Sequence, residues 1–260
     1  CNLLQLQKAM PYPDAFHKRI PLAGSRRRSY KLGMDDLSTD KSICNKTVTR
    51  DEMQALTEPG TLTNCNLEDE DLSKIDLSGW KFELCNLRRT NLAGANLEDT
   101  TWKSCRGGFA NFTGSNLSDA VFTASDFNNA SMKRSTLEGA SFERCKLTGV
   151  DFSDVKAIDI SFKETLLINV KMIGISFRKA NLERLDFSQS DLRKCDFRMA
   201  SFENCSLRET IVDDARFEGA DLRGADLGGI RLGDASRFRG ATISREQAAQ
   251  LLSEVGLMVR

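Results

Sequence analysis

The residues with most chemical potential in this 260-residue chain are its cysteines, and their spacing is regular. Cys65, Cys85, Cys105, Cys145 and Cys205 are separated by 20, 20, 40 and 60 residues, and Cys195 shares their place in a five-residue count. Thiols in register could serve as nucleophiles, ligate a metal or pair as disulfides. A nucleophile needs a base beside it, and the single histidine, His17, lies far upstream among prolines. Zinc ligands converge tetrahedrally, whereas residues stacked one above another stand in a line. A stacked pair meets the distance for a disulfide, but its parallel side chains oppose the preferred dihedral. No glycine-rich phosphate loop, H-E-x-x-H or C-x-x-C is present. The cysteines therefore read as small buried side chains. No catalytic, metal-binding or cofactor-binding residue is assigned, no cofactor is implied, and an enzyme is not expected.

The element that spaces these thiols is a repeat. Every fifth residue from Leu62 to Leu232, thirty-five positions, is almost always Leu, Phe, Met, Val or Trp, with Gly107 and Ala157 as exceptions. Two residues before each stands a mostly small residue, such as Ala95, Ala110, Ser115, Ala120 or Ala220. A period of five suits neither a helix nor an alternating strand. One residue is inserted near Ser236, after which Phe238 and Ile243 resume the spacing. A second period of twenty lies over the first: Phe82, Trp102, Phe122, Phe142, Phe162 and Phe202 follow it, as do the cysteines. Four five-residue sides per turn, like stacked on like, predict a four-sided β-solenoid of about nine coils, roughly 43 Å long at the strand spacing.

The runs ANLEDT, FANFTG, CKLTGVDFSD and GADLRGADLGG resemble the pentapeptide-repeat family, whose pattern is A-(D/N)-L-x-x. The resemblance covers residues 60–243 and implies a right-handed quadrilateral β-helix. It also implies non-enzymatic roles: a protein-binding scaffold, a bacterial secreted effector (faintly echoed by EDLSKIDLSGWKF), or a DNA mimic that binds DNA gyrase and confers quinolone protection. In several members a C-terminal segment forms a homodimer.

A solenoid must cap its open ends. Ser244 with Gln247 reads as a capping box that starts a helix over Arg245–Glu254, stopped by Gly256. Ala248, Leu251, Leu252, Val255 and Leu257 would either cover the last coil or form the dimer contact implied by the resemblance. Thr49 with Glu52 is a second capping box, so residues 47–60 read as a short helical N-cap, 61–243 as the solenoid and 244–260 as the C-terminal helix and tail. Residues 1–46, with three of the four prolines and Arg26-Arg27-Arg28, read as a loosely packed arm in which a solvated tail is favoured over a nucleic-acid or lipid contact. Cys1 as first residue fits a trimmed fragment, with Met10 a natural start, or a processed lipoprotein. No apolar run approaches a membrane span, mean hydropathy is −0.38, and many unpaired thiols favour a reducing compartment, the cytoplasm.

Basic and acidic residues number 37 each. The first sixty residues carry ten Lys and Arg against seven Asp and Glu, leaving −3 for the rest, far from the charge of a duplex. Outward positions follow from adding twenty. On the phenylalanine side Glu143-Arg144, Lys163-Glu164 and Glu183-Arg184 alternate in sign, a structural pattern. On the side of Leu77, Leu97, Leu117 and Leu137, Asp76, Glu98, Asp99, Asp119 and Glu138 point outward without a basic residue, until Arg178 and Lys179 reverse the sign. That stripe is a candidate landing site for a protein partner, whose identity the sequence does not contain. Ile158, Leu166, Ile168 and Ile173 face outward from one coil, read either as a contact belt or as a register slip at Ala157.

Overall fold

The computed structural model describes residues 42–230, 235–254 and 256–259. Within each five-residue side the chain buries the central large residue and the residue two before it, and then turns through a left-handed corner two residues after it. Corner residues such as Asp99, Asp119 and Asn129 have φ of 56°, 56° and 58°. Asn and Asp tolerate that region best among residues with a Cβ, which accounts for much of the polar content of the repeat.

Parallel ladders line all four sides, those of the second and third continuous and those of the first and fourth each interrupted once, so the expected four-sided solenoid of about nine coils is present. We number the walls by their first inward residues, Leu62, Leu67, Leu72 and Leu77. On the first wall the pairing is regular enough for strands: β1 (Ser42–Cys44), β2 (Thr61–Thr63), β3 (Lys81–Glu83), β4 (Thr101–Lys103), β5 (Val121–Thr123), β6 (Ser141–Glu143), β7 (Ser161–Lys163), β8 (Asn181–Glu183), β9 (Ser201–Ser206) and β10 (Asp221–Asp226). They form a sheet of seven and a sheet of three, divided between β7 and β8.

The division coincides with a change in the core. Phe82, Trp102, Phe122, Phe142 and Phe162 stack behind the first wall with ring centroids 4.0–5.6 Å apart. Beyond β7 the stacked rings move to the fourth wall, where Phe177, Phe197, Phe217 and Phe238 lie 5.2, 5.0 and 4.8 Å apart. Where the columns exchange, Phe162 and Phe177 are tilted by 53° at 6.2 Å. Gly107 keeps its register, with its N–H bonded to Asp126 O at 2.7 Å, and the Phe127 ring fills the space where its side chain would stand. Ala157 keeps the phase as well, because Lys156 pairs with Thr136; the register slip is excluded.

The ends correct the boundaries read from the sequence. The first coil begins inside the expected arm: β1 pairs with β2, Ile43 opposite Leu62, and Thr47 bridges to Asn66. Residues 1–41, including His17 and Arg26–Arg28, lie outside the described residues. The Thr49/Glu52 capping box forms as expected and starts α1 (Arg50–Gln54), whose Met53 is buried. The inserted residue shows as an offset: Glu209 N–H bonds Gly228 O, nineteen residues on, whereas Phe217 N–H bonds Arg237 O, twenty residues on. Residues 231–234, Leu232 among them, are outside the description.

At the C-terminus Ser244 and Gln247 form the second capping box, with Ser244 N–H to Gln247 Oε1 at 2.7 Å, and start α2 (Arg245–Glu254). Gly256, at φ 85°, ends it in a Schellman motif, with Leu257 N–H bonded to Leu252 O at 2.9 Å. The same Gln247 donates from Nε2 to Leu222 O (2.7 Å) and Ala225 O (2.6 Å), occupying carbonyls of the last coil. Gln247→Ala leaves both buried acceptors unmatched and is expected to cost about 1–3 kcal/mol, read as a lower urea midpoint with early exchange of the amides of β10. Of the residues assigned to the cap, Leu251 is buried, Ala248 half-buried, Leu252 and Leu257 exposed, and Val255 outside the described residues.

Candidate functional site

The cysteine column is placed as the spacing predicted, but its role is more specific than that of an apolar filler. Cys85 Sγ donates to Leu62 O (3.3 Å), Cys105 Sγ to Phe82 O (3.2 Å) and Cys145 Sγ to Phe122 O (3.4 Å). Where the column holds Ser125 and Thr165, their hydroxyls make the same bond, to Trp102 O and Phe142 O. At these positions the inner corner holds a small side chain that donates to a carbonyl of the preceding coil; at Leu185 and Ala225 the column does without that bond. Burial pushes the Cys145 thiol up to about 11 and the Cys195 thiol up to about 12. At neutral pH these sulfurs stay protonated and unreactive. Iodoacetamide applied to the native protein should leave Cys145 and Cys195 unmodified by mass spectrometry, with both labelled only after unfolding. Among the described residues no group of three or more His, Cys, Asp or Glu is placed to hold a metal ion.

The outer walls differ in how they arrange charge. On the first wall outward charges alternate and pair: Lys103–Glu83 at 3.7 Å, Lys163–Glu183 at 3.4 Å, and Arg184 with both Glu183 and Glu164. The second wall pairs Arg89 with Glu68 and Asp69 at 2.8 and 2.6 Å. The third pairs Asp151 with Lys133 at 3.2 Å and Lys171 at 3.7 Å. Such exposed pairs are each worth under about 1 kcal/mol, but together they leave these walls near neutral.

The fourth wall segregates its charge instead. Asp76, Glu98, Asp99, Asp119 and Glu138 are all exposed, and none takes part in an ion pair among the described residues. Beyond Gly139 the outward positions become Lys156, Arg178, Lys179, Arg198, Arg216, Arg237 and Arg239, against Asp159, Asp196 and Glu218. The acidic residues are not equivalent. Asp76 Oδ1 accepts from Ser78 N–H and Asn96 Nδ2, both at 3.0 Å, which holds its carboxyl below the usual range, the Ser78 bonds contributing most. Glu98 Oε2 accepts from Asn116 Nδ2 at 3.1 Å. Asp119 leans over Gly139, its Oδ1 only 2.2 Å from where a Cβ would stand. Asp99 and Asp119 occupy successive corners, and their carboxylates accept no hydrogen bond among the described residues.

The outward apolar residues of the coil at 155–174 are unequally presented. Ile158 is 61% and Leu166 39% exposed, whereas Ile168 and Ile173 are half-buried. Ile158 sits on the fourth wall where the acidic half gives way to the basic half. The sequence reading found the acidic stripe and the sign reversal at Arg178 and Lys179; it missed Arg198, Arg216, Arg237 and Arg239, which counting by twenty, with the one-residue insertion, would have placed.

Comparison with known proteins agrees with this geometry. A family model described as a pentapeptide repeat region matches residues 60–130. One described as pentapeptide repeats, in 8 copies, matches residues 115–154, 127–163, 160–198 and 200–240. No curated protein matches the chain. Among solved structures, trypsin-treated QnrB1, a plasmid-mediated fluoroquinolone resistance protein, aligns at TM-score 0.54 and 20% identity over 84% of this chain and 97% of its own. HetL, a pentapeptide repeat protein involved in heterocyst differentiation regulation in the cyanobacterium Nostoc sp. strain PCC 7120, aligns at TM-score 0.51 and 19% identity, covering 78% and 84%. At these identities the likeness is one of fold. No helix among the described residues is long and apolar enough to cross a membrane.

Proposed function

The chain belongs to the pentapeptide-repeat family, and from that premise we propose that it is a non-catalytic scaffold whose fourth wall docks a protein partner of complementary, divided charge. The observation that carries this reading is the segregation on that wall. Five exposed carboxylates over four coils take part in no ion pair among the described residues, while the other three walls neutralise their charges locally. Folding gains nothing from such an arrangement, whereas a partner with a basic patch beside an acidic one gains both orientation and association rate. Exposed Leu252 on the terminal helix and Leu257 just beyond it support a homodimer as a further assembly.

The test compares the wild type with two variants, Asp99→Lys/Asp119→Lys on the acidic half and Arg178→Glu/Lys179→Glu on the basic half. A partner captured by the wild type should bind each variant at least about tenfold more weakly, a loss of about 1.4 kcal/mol, and binding should weaken as salt rises. A partner held equally by all three proteins would sink the proposal.

A second reading, protection of a type II topoisomerase by DNA mimicry, is favoured by the acidic half taken alone. Four coils span about 19 Å at the strand spacing, a length over which duplex DNA carries about eleven phosphates. The wall presents five carboxylates there and turns basic beyond. A fluoroquinolone inhibition curve for gyrase supercoiling is therefore expected to stay unchanged on adding the protein.

A further inference from the structure

The fourth wall contains one break. Its bridges run from Asp76 through Asn96, Asn116 and Thr136 to Lys156, stop, and resume from Ser176 to Asp196 and Arg216. Above the break Phe177 N–H bonds Asp196 O at 2.8 Å, and below it Leu137 N–H bonds Lys156 O at 2.7 Å. Across it the equivalent bonds are missing. The N–H groups of Ala157, Asp159 and Ser176 and the carbonyls of Val155, Ser176 and Arg178 make no hydrogen bond among the described residues. The lips enclose about 410 Å³, lined by Ala157, Ile158, Ile160 and Phe177, with Arg178 and Lys179 at the rim. Among the described residues neither basic side chain is in an ion pair, and Asp159 is the one acidic residue lining the gap.

The sequence explains why the wall opens here. In the segment Val155-Lys156-Ala157 the usual order of small then large is reversed, a branched residue standing at the crowded corner and alanine at the core position. At Gly107 a neighbouring ring leans in to fill the hole. At Ala157 it cannot, because Phe177 is held in stack with Phe197 at 5.2 Å and an interplanar angle of 6°.

We propose that this gap is a groove for an extended peptide segment of the docked partner, one that places an acidic side chain next to an apolar one. The proposal rests on reading the fourth wall as the docking wall, and adds where on it the partner's chain enters. Backbone donors and acceptors left open along a strand lip are matched by another extended backbone, the geometry of β-augmentation. Exposed Ile158 and half-buried Ala157 offer the apolar contact, and Arg178 with Lys179 outweighs Asp159 in charge. The volume falls within the range of ligand pockets. Because the gap lies between the acidic and basic halves, a segment bound there would hold the two halves of a partner against their opposite charges.

Selection of the full chain against a displayed library of short random peptides tests this. Wild type should enrich sequences alternating acidic and apolar residues, and the best binder should slow amide exchange at Ala157, Asp159 and Ser176. Val155→Ala/Ala157→Leu restores the usual size order and closes the gap; it should raise the melting temperature while weakening that peptide about tenfold or more. Arg178→Glu/Lys179→Glu should keep the melting temperature and lose the acidic preference. Failure to enrich any sequence over the closed variant, or protection confined to other amides, overturns the proposal. Should that occur while charge reversal on the wall still weakens the whole partner, the scaffold reading survives and the groove alone falls.

Discussion

Phe127→Ala is expected to lower the stability of this solenoid by about 3–5 kcal/mol, the range for deleting a fully buried aromatic ring. Phe127 is fully buried and fills two places at once, its own and that left by Gly107 one coil below. Removing the ring therefore opens a void wider than one side chain, placed against the edge contacts of Trp102 at 6.0 Å and Phe122 at 5.3 Å. Those two rings are stacked with each other at 5.6 Å, and cannot tilt into the void without breaking the column. The converse change should fail for the opposite reason. A Cβ at Gly107 would lie 2.1 Å from Phe127 Cε1, so Gly107→Leu forces the ring out of its pocket. The combination Gly107→Leu/Phe127→Leu restores the regular repeat, one aliphatic residue per side, and should recover much of either single loss. A double-mutant cycle read by urea unfolding should give a coupling of about 1–3 kcal/mol in favour of the pair. Additive losses would show that the two positions do not share one space.

Most of this fold is legible in the sequence because a solenoid is quasi-one-dimensional: each coil touches only its neighbours, so a residue's environment is set by its position modulo twenty. That is why the spacing alone assigns Leu77, Leu97 and Leu117 to one wall and makes Asp99 and Asp119 vertical neighbours. Position in the count does not say which way a ring in the next coil leans, and there the legibility ends. Counting marks Gly107 and Ala157 alike as defects in the core series. Only packing distinguishes them, since one is filled by Phe127 and the other is left open by Phe177 keeping to its own column. The migration of the aromatic column from the first wall to the fourth was present in the spacing of Phe177, Phe197 and Phe217, but a search anchored on Phe82 passes over it. The first coil at Ser42–Cys44 escaped for a different reason: the helix between β1 and β2 interrupts the count of five.

Restoring the size order at the break, with Val155→Ala/Ala157→Leu, should stabilise the protein by about 2 kcal/mol. The gains are net hydrogen bonds recovered between the lips, about 0.5–1.5 kcal/mol each, and burial of the larger side chain at a position now half-buried. Against them stand the rearrangement of Ile158 and Ile160, about 1–3 kcal/mol when a packed region must shift, and the methyl groups removed at Val155. A gain of that size moves the melting temperature by roughly 4–8 °C in a domain of this length. Cooperativity should change as well. In a stack stabilised by nearest-neighbour interfaces, the weakest interface decides where unfolding divides the array. In the native chain that interface lies between β7 and β8, where the first-wall sheet divides, the fourth-wall ladder is broken and the aromatic column changes walls. Hydrogen exchange in mild denaturant should accordingly resolve two blocks meeting there, and the double variant should merge them into one transition. A protein kept with such an interface has given up stability at one defined place on its fourth wall, beside the side chains that reverse the wall's charge.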